Sequence, residues 1–522
     1  MKLNYQSKNG ILYAKIPGRS VRRDGKVMKE GQVHLGRVID KENNVFWNRE
    51  RGIFTFDPDT GEYGKADESY TSDLQTDHRR KEHSVVDFGD SFFIDSLLHQ
   101  IGYDKVLDTI PYRNKDTLYA MIQYYILTYS ANNHARTWYE GNFANVLYPK
   151  ANLTSQRISD FLSSIGSIRA LAQFFDSHIE WVKTQSKDTA ILIDSTGLPN
   201  NIHFPLTAVS NHNGKISREV RLTTVLQRDT GYPLLFRAMA GNIVDMSTLT
   251  RSVYVLNMHG ISADYAVLDA GYYTPENIDE LYEAGIEWLT RLPEKYKIYK
   301  ELAQIPLNQI QKEENLVKYK DRFVYMIRKE CLVGKNNDHK AYVYFGYDID
   351  RASDETHKLL SKAKKEKWDE KELHKKLNNV GRFAMISSLP FDTEGILPAY
   401  YTRQVVEQYF DISKGASKLT PLRIQSEEAM NGHLMLSMIA ATINTYIQNK
   451  MNLVPDNRED LLMALRNQKC IVYATRVTTC EPQAKANEFY TAFGIKCPIA
   501  YNRKDGRLIP DFHLPKMYDL DE

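Results

Sequence analysis

Cysteine, long apolar runs and several cofactor motifs are scarce or missing in this 522-residue chain. Its four cysteines are too few for a disulfide framework, and none forms the C-x-x-C pair typical of zinc sites. The longest nearly unbroken apolar stretch, Leu434 to Ile443, is about half of the ~20 residues that a membrane span needs. The first residues lack the apolar run of a secretion signal, and no Gly-x-x-x-x-Gly-Lys-Ser/Thr motif predicts ATP binding. We therefore expect a cytoplasmic protein with no membrane segment.

The overall charge is nearly balanced, with 68 Lys and Arg against 66 Asp and Glu, and does not by itself predict a polyanionic partner. Two stretches depart from this balance. Residues 15–37, which include Arg22 and Arg23, carry seven basic and two acidic side chains, a net charge of +5 by subtraction. Residues 358–376, which include Lys364 and Lys365, carry eight lysines and four acids, a net charge of +4. Solvated surface explains such runs more often than nucleic-acid binding does, so both interpretations stay open at this point.

Hydrophobic periodicity and turn signals describe the flanking parts of the chain. Residues 1–80 alternate apolar and polar positions and predict a basic region of short strands and hairpins. Residues 81–187 have a helical period, and within them residues 153–162 predict an amphipathic helix capped by Thr154 or Ser155. Arg157 on that helix is a candidate DNA contact, although packing is the more frequent role of such a helix. Residues 451–522 predict a helix at Arg458–Arg466, a strand at Cys470–Thr475 and a helix near Ala484–Phe493.

Two short apolar runs each end in an aspartate. Ala190 to Ile193 reads as a buried strand followed by Asp194, and Tyr265 to Leu268 reads as another followed by Asp269. Strands and a helix from Ser247 to Met258 are predicted between them, and a helix and a strand after Asp269. An acid at the end of a buried strand is presented at the rim of an open α/β sheet, where ligands bind. One such aspartate is weak evidence, but the pair in this order predicts a site.

Four residues further on share one side of a predicted helix. Tyr400, Arg403, Glu407 and Lys414 have the spacing Y-x2-R-x3-E-x6-K. At about 100° per residue, they fall within a sector of roughly 60°. An exposed ion pair between Arg403 and Glu407, worth ~0.3–0.5 kcal/mol, is the structural alternative. It leaves Tyr400 and Lys414 on the same stripe unexplained.

These residues together resemble a bacterial insertion-sequence DDE transposase of the cut-and-paste type with the YREK signature. The segment from Gly241 to Asp245 and the pair Gly432–His433 extend the similarity, which covers residues 188–450. The resemblance implies an α/β RNase H-like catalytic core, a mixed sheet with helices, in residues 188–294 and 397–450. It implies a β-rich insertion domain at 295–396, in which Lys318 to Cys331 reads as one strand, and packing or dimerisation by residues 451–522. We expect the N-terminal β-hairpin region and the helical region at 81–187 to bind DNA, with sequence-specific end binding in the first 184 residues, because base readout needs a fixed helix or hairpin beside the groove. The aromatic residue that accepts a flipped base in this family stays unassigned between Trp368, Tyr319 and other tyrosines.

The resemblance also implies the chemistry of the site. Asp194, Asp269 and Glu407 would bind two Mg²⁺ ions, for which Mn²⁺ can substitute, with Asp194 as the shared ligand. Carboxylate oxygens suit these hard cations. Contacts with phosphates and the DNA backbone would come from the other residues of the signature, Tyr400, Arg403 and Lys414. A further contact would come from Arg291, which lies on the strand predicted at residues 286–292.

The expected partners are two kinds of double-stranded DNA, the terminal inverted repeats of a mobile element and the target DNA of that element. We expect a homodimer of the protein to bind them in the bacterial nucleoid. Cleavage is expected to pass through a DNA hairpin. Two alternatives are a domesticated DNA-binding protein without catalysis and a metal-dependent nuclease without strand transfer. Intact acids argue against the first alternative, and terminal inverted repeats beside the coding DNA would separate a transposase from the second.

Overall fold

A computed structural model describes most of the chain, which forms two compact units. Unit 1 comprises Met1–Val85, Cys470–Cys480 and Pro498–Glu522, and unit 2 comprises Val86–Lys469 and Glu481–Cys497. Among the described helices, none combines the length and apolar character needed to cross a membrane. The description covers all residues except 1, 9–10, 24–25, 49, 68–69, 71–83, 129, 189, 201–203, 213–214, 242–246, 262–264, 367, 403–409, 411–425, 452–457, 474, 505–506 and 513–522.

The N-terminal part is built of short antiparallel strands, as its alternating pattern predicts. They are β1 (Asn4–Lys8), β2 (Ile11–Ile16), β3 (Arg19–Arg23), β4 (Lys26–Glu30), β5 (Val33–Asp40), β6 (Val45–Asn48), β7 (Gly52–Phe56), β8 (Tyr63–Lys65) and β9 (Ser84–Asp87). A six-stranded sheet has the order β1-β2-β5-β6-β7-β8, and β3 pairs with β4 alone. One face of the larger sheet buries Leu35, Phe46 and Phe54. Gly36 is required in it, because its φ is +102° and a Cβ there would lie 2.1 Å from the Trp47 carbonyl oxygen.

Seven helices follow at the start of unit 2: α1 (Gly89–Gln100), α2 (Asp104–Thr109), α3 (Lys115–Leu127), α4 (Ala135–Glu140), α5 (Ala144–Leu147), α6 (Ser155–Ile165) and α7 (Ile168–Gln185). Asn114 caps α3 by accepting the Thr117 N–H at 3.1 Å. The cap predicted for α6 is wrong in detail. Thr154 precedes the helix, but its hydroxyl donates to Asn152 Oδ1 at 3.1 Å and accepts no helix N–H.

A ten-stranded sheet forms the centre of unit 2. Its strands are β10 (Ile191–Pro199), β11 (Ala208–His212), β12 (Lys215–Gln227), β13 (Pro233–Ala240), β14 (Tyr265–Val267), β15 (Glu287–Arg291), β16 (Leu316–Tyr319), β17 (Arg322–Val333), β18 (His339–Asp348) and β19 (Arg382–Ser387). The order is β11-β12-β10-β14-β15-β19-β18-β17-β16, with β13 paired to β12. β10, β14 and β15 run parallel, and the other pairings are antiparallel. The strands of the expected insertion therefore continue the central sheet.

The remaining described helices of unit 2 are α8 (Ser247–Met258), α9 (Pro275–Glu283), α10 (Lys297–Leu302), α11 (Leu307–Ile310), α12 (Ile349–Glu366), α13 (Glu370–Leu377), α14 (Ile396–Tyr401), α15 (Glu427–Met451), α16 (Arg458–Arg466) and α17 (Ala484–Phe493). The apolar stretch Leu434 to Ile443 lies in α15 and is buried in the core. Next to it, His433 Nδ1 lies 2.7 Å from the Tyr125 hydroxyl.

The C-terminal part contributes four antiparallel strands to a five-stranded sheet with the order β23-β22-β21-β20-β9. The predicted strand there, Cys470 to Thr475, is shorter in the structure, and the last hairpin was not predicted. The strands are β20 (Lys469–Val472), β21 (Arg476–Thr479), β22 (Ala500–Lys504) and β23 (Arg507–Asp511).

Candidate active site

Two neighbouring parallel strands bring the predicted aspartates together. Leu192 of β10 pairs with Val267 of β14, and an aspartate follows two residues after each, Asp194 and Asp269. Side chains alternate along a strand, so Asp194 shares the face of Leu192, and Asp269, whose backbone is extended, shares the face of Val267. Adjacent strands lie about 4.8 Å apart. Two half-buried carboxylates therefore lie at one edge of the parallel pairing.

Arg291 extends this row from the third parallel strand. Leu289 of β15 pairs with Val267, and Arg291 follows it by two residues. The Thr290 hydroxyl donates to the Asp269 carbonyl oxygen at 3.0 Å and fastens the two strands at this level. The order across the edge is Asp194, Asp269, Arg291, which sets one half-buried cation beside two acids.

Asp194 does not terminate its strand, contrary to the sequence-based expectation. β10 continues to Pro199 because β12 pairs with it antiparallel as far as the pair Pro199–Glu219. Only the parallel pairing with β14 stops at Leu192. The end of that pairing, and not the end of the strand, places Asp194 at an edge. The Ser195 N–H donates to Asp194 Oδ1 at 2.8 Å and orients the carboxylate.

An apolar cluster covers the face of the sheet that carries the row. Leu192 and Val267 pack in this cluster with Tyr400 of α14 and with Phe410. Tyr400 is 6% exposed, so its ring is part of the core, while its proposed contact with DNA stays a prediction. An aromatic ring gains more from this burial than a charged side chain would. Arg403, Glu407 and Lys414 lie outside the described residues.

The oxygen donors at the edge fit a divalent cation. Asp194 pairs across the sheet with Thr224, whose buried hydroxyl has no hydrogen-bond partner among the described residues. Carboxylate and hydroxyl oxygens are hard ligands of the kind that Mg²⁺ and Mn²⁺ take. Asp194 and Asp269 would hold such an ion.

A group of buried polar side chains beside Asp194 was not predicted. Arg221 and Glu219 of β12 approach each other at 3.7 Å, and Arg221 donates to the Ser195 hydroxyl at 3.5 Å. Burial raises the pKa of Tyr272, a hydrogen bond with Ser195 opposes this rise, and the charge of Asp194 adds to it. The signal in the sequence is the alternation of Glu219 and Arg221 in a long strand, which places both on one face.

Another group of potential metal ligands lies elsewhere and contains none of the predicted catalytic residues. Ligand atoms of Asp279, Asp338 and His339 lie within 4.8 Å of one another. Asp279 also accepts the Lys335 N–H at 3.3 Å, and His339 stacks on Tyr282 with ring centroids 4.3 Å apart. These contacts fasten the turn before β18 to α9.

The predicted DNA contacts outside the core lie on three separate elements. Arg22 and Arg23 belong to β3. Arg157 is exposed on α6 and pairs with Asp160 at 3.4 Å, while the opposite face of α6 is buried. Lys364 and Lys365 are exposed in the last turn of α12.

Comparison with known proteins bears on the central part of the chain. No curated protein matches the chain. A solved structure described as the piggyBac transposase synaptic complex with hairpin DNA aligns over 69% of this chain and 71% of that chain, at 11% identity and a TM-score of 0.37. Residues 185–443 match the model of a family described as the transposase DDE domain, and this range includes Asp194, Asp269 and the segment from Tyr400 to Lys414. Residues 185–443 are thus similar to a transposase DDE domain.

Proposed function

We propose that the protein is a DNA transposase that binds the ends of its own mobile element, cleaves them and joins them to target DNA. The observation that carries the proposal is the matched position of Asp194 and Asp269 on adjacent parallel strands. The strand order β13-β12-β10-β14-β15, in which β14 and β15 run parallel to β10, supports an RNase H-like core. The family match over residues 185–443 supports the same reading.

In this proposal, Asp194, Asp269 and Glu407 would hold two Mg²⁺ ions, or two Mn²⁺ ions. Such ions, when bound, activate the attacking oxygen and stabilise the departing one in phosphodiester cleavage. Glu407 is included because it lies between Tyr400 and Phe410 in the chain, and both of these pack beside Leu192 and Val267. Glu407 completes the set of three carboxylates.

Arg291 is proposed to bind the phosphate next to the scissile bond. Two carboxylates repel a phosphate, and a planar guanidinium in the same row offsets that repulsion with paired hydrogen bonds. Arg403 and Lys414 are proposed as further phosphate contacts on the strength of their helical spacing. The exposed cations Arg157, Lys364 and Lys365, with Arg22 and Arg23, would supply affinity for the DNA backbone away from the metals.

The remaining steps follow from the proposed class of enzyme. Residues 1–184 would recognise the element ends, and two copies of the chain would hold two ends in a homodimer on the bacterial nucleoid. The freed 3′ hydroxyl would attack the opposite strand to give a hairpin, which is opened before joining to target DNA. No covalent intermediate with the protein is part of this scheme.

Incubation of the full-length protein with the DNA that flanks its coding sequence, Mg²⁺ and a target plasmid tests the proposal. Sequencing of the DNA ends should find cuts at terminal inverted repeats, hairpin ends and joined products. Cuts without joined products would favour a nuclease. Specific binding without cuts, in Mg²⁺ and in Mn²⁺, would favour a domesticated DNA-binding protein.

A further inference from the structure

The buried polar group beside Asp194 extends across β12 and β10. The antiparallel register places Glu219, Arg221 and Thr223 opposite Pro199, Gly197 and Ser195, so these side chains share the face of the sheet opposite to Asp194. The Arg221 side chain is only 7% exposed, and its guanidinium reaches the Ser195 hydroxyl on one side and Glu219 on the other. A charged pair is thus buried directly behind the strand that carries a metal ligand.

The space for Glu219 depends on two glycines. A Cβ at Gly197 would lie 2.2 Å from Glu219 Oε2, and a Cβ at Gly241 would lie 2.2 Å from the Glu219 carbonyl oxygen. The Arg221 Nε has no hydrogen-bond partner among the described residues. Burial of an incompletely bonded ion pair costs free energy compared with an apolar pair of similar volume. Stability therefore does not account for this arrangement, whereas orientation of the adjacent strand does.

Tyr272 connects the same group to the second aspartate. It ends the 3-10 turn Ala270–Tyr272, and its N–H donates to the Asp269 carbonyl oxygen at 3.0 Å. Its side chain is buried, and Ser195 is among the side chains next to its hydroxyl. Ser195 in turn donates its N–H to the Asp194 carboxylate. Tyr272 therefore links the backbone at Asp269 to the residue that orients Asp194.

We propose that Arg221 and Tyr272 are positioning residues, which hold Ser195 and thereby fix Asp194 relative to Asp269 and set the affinity of the site for a divalent cation. The inference rests on the proposed function, because it assumes that the two aspartates bind the cation. Residues that orient metal ligands typically change metal affinity by about 10- to 100-fold when they are replaced. Neither Arg221 nor Tyr272 is a metal ligand in this proposal.

Binding of Mn²⁺ to the full-length protein tests the inference without an activity assay, because the electron paramagnetic resonance signal of free Mn²⁺ reports the bound fraction. Tyr272→Phe removes one hydroxyl and should weaken Mn²⁺ binding about tenfold. Tyr344→Phe is the matched control. Tyr344 is also a buried tyrosine and lies on β18, but its hydroxyl donates to the Phe391 carbonyl oxygen at 2.8 Å. We expect this control to bind Mn²⁺ with wild-type affinity.

Arg221 is tested by Arg221→Met and by Arg221→Lys, which keeps the charge and loses the planar fork. Both should weaken Mn²⁺ binding, Arg221→Met more, and Arg221→Lys decides the matter if the other variant does not fold. Wild-type affinity in Tyr272→Phe and Arg221→Lys, with binding lost in Asp194→Asn, overturns the inference and leaves the proposed function intact. Wild-type affinity in Asp194→Asn, or no binding by the wild type, contradicts the proposed function itself.

Discussion

Leu192 and Val267 are partners in parallel register, and this one pairing sets Asp194 and Asp269 at matching positions two residues further along. The two acids are 75 positions apart by number in the sequence, so their proximity depends on the register of β10 and β14 and on no local motif. A shift of one residue would turn one carboxylate to the opposite face of the sheet. The apolar residues before each aspartate therefore specify the site as firmly as the aspartates themselves.

Arg291→Ala should lower the rate of DNA cleavage by about 10²-fold, as loss of one donor to a developing charge does, with little change in the affinity for element ends. We expect this loss because Arg291 lies in one row with Asp194 and Asp269. Single-turnover cleavage and a gel-shift titration measure the two quantities. Arg328→Ala is the control, because Arg328 is an exposed arginine of the same sheet that donates to the Phe391 carbonyl oxygen. An equal loss of rate in both variants would remove Arg291 from the site.

Gly432→Ala should lower the free energy of unfolding by about 1–3 kcal/mol, the usual cost of overpacking. A Cβ at Gly432 would lie 2.0 Å from the Leu162 carbonyl oxygen, and a Cβ at Gly166 would lie 1.8 Å from that of Glu428. α6 and α15 thus touch through their backbones. Denaturant titration measures the loss. Gly141→Ala, where a Cβ would meet its nearest atoms at 3.9 Å and φ is −100°, should be nearly neutral. Equal stability of the two variants would contradict the close crossing.

His178 should make the protein less stable as pH falls from about 6.5 towards 4. It is fully buried between the Pro233 carbonyl oxygen, 2.6 Å from Nε2, and the Tyr103 hydroxyl, 2.8 Å from Nδ1. A carbonyl only accepts, so Nε2 carries the proton and donates, and Nδ1 accepts. Burial lowers the pKa of His178 to about 4, and the bond to Pro233 opposes this. The folded state keeps the ring neutral while the unfolded chain takes up a proton, at about 1.4 kcal/mol for each pKa unit.

Denaturant titrations of the wild type and of His178→Gln at several pH values between 7 and 4.5 measure this dependence. His178→Gln should have the shallower dependence of unfolding free energy on pH. His374→Gln is the control, because His374 is exposed on α13 and should leave the dependence unchanged. The assignment fails if His178→Gln and the wild type lose stability in parallel.

Lys364→Ala and Lys365→Ala test the basic end of α12. Each phosphate contact that is lost should reduce the slope of log affinity against log salt concentration by about 0.9. Fluorescence anisotropy with duplex DNA at several salt concentrations measures the slope. Lys297→Ala is a matched control, since Lys297 is an exposed lysine of α10 outside this cluster. Unchanged slopes in both variants would indicate that these lysines are solvated surface and do not contact DNA phosphates.

The sequence predicts local structure here better than pairing between distant strands. The helices Ser247–Met258, Arg458–Arg466 and Ala484–Phe493 are confirmed because their apolar period is local. The strand predicted from Lys318 to Cys331 is wrong. The segment forms two strands that meet at Lys320, which has a φ of +55°. A lysine at this position does not predict such a turn.

The candidate site shows the same contrast between local features, which the sequence predicts, and strand pairing, which it does not. The position of each aspartate after an apolar run can be read from the sequence, whereas the row with Arg291 depends on strand register. The burial of Arg221 and Tyr272 depends on which strands lie beside them, which alternation alone does not specify. Tyr400 belongs to a helix as predicted, but the neighbouring apolar residues draw its ring into the core.

The central claim is that Asp194 and Asp269 act together in metal-dependent cleavage of DNA. Its most direct test is cleavage of the flanking element ends by the wild type and by Asp194→Asn and Asp269→Asn, in Mg²⁺ and in Mn²⁺, with end binding measured in parallel. Asparagine keeps the shape of the side chain and removes the charge that a hard cation requires. We predict that both variants bind the ends with nearly wild-type affinity and produce no cleavage. Cleavage at the wild-type rate by either variant would contradict the account.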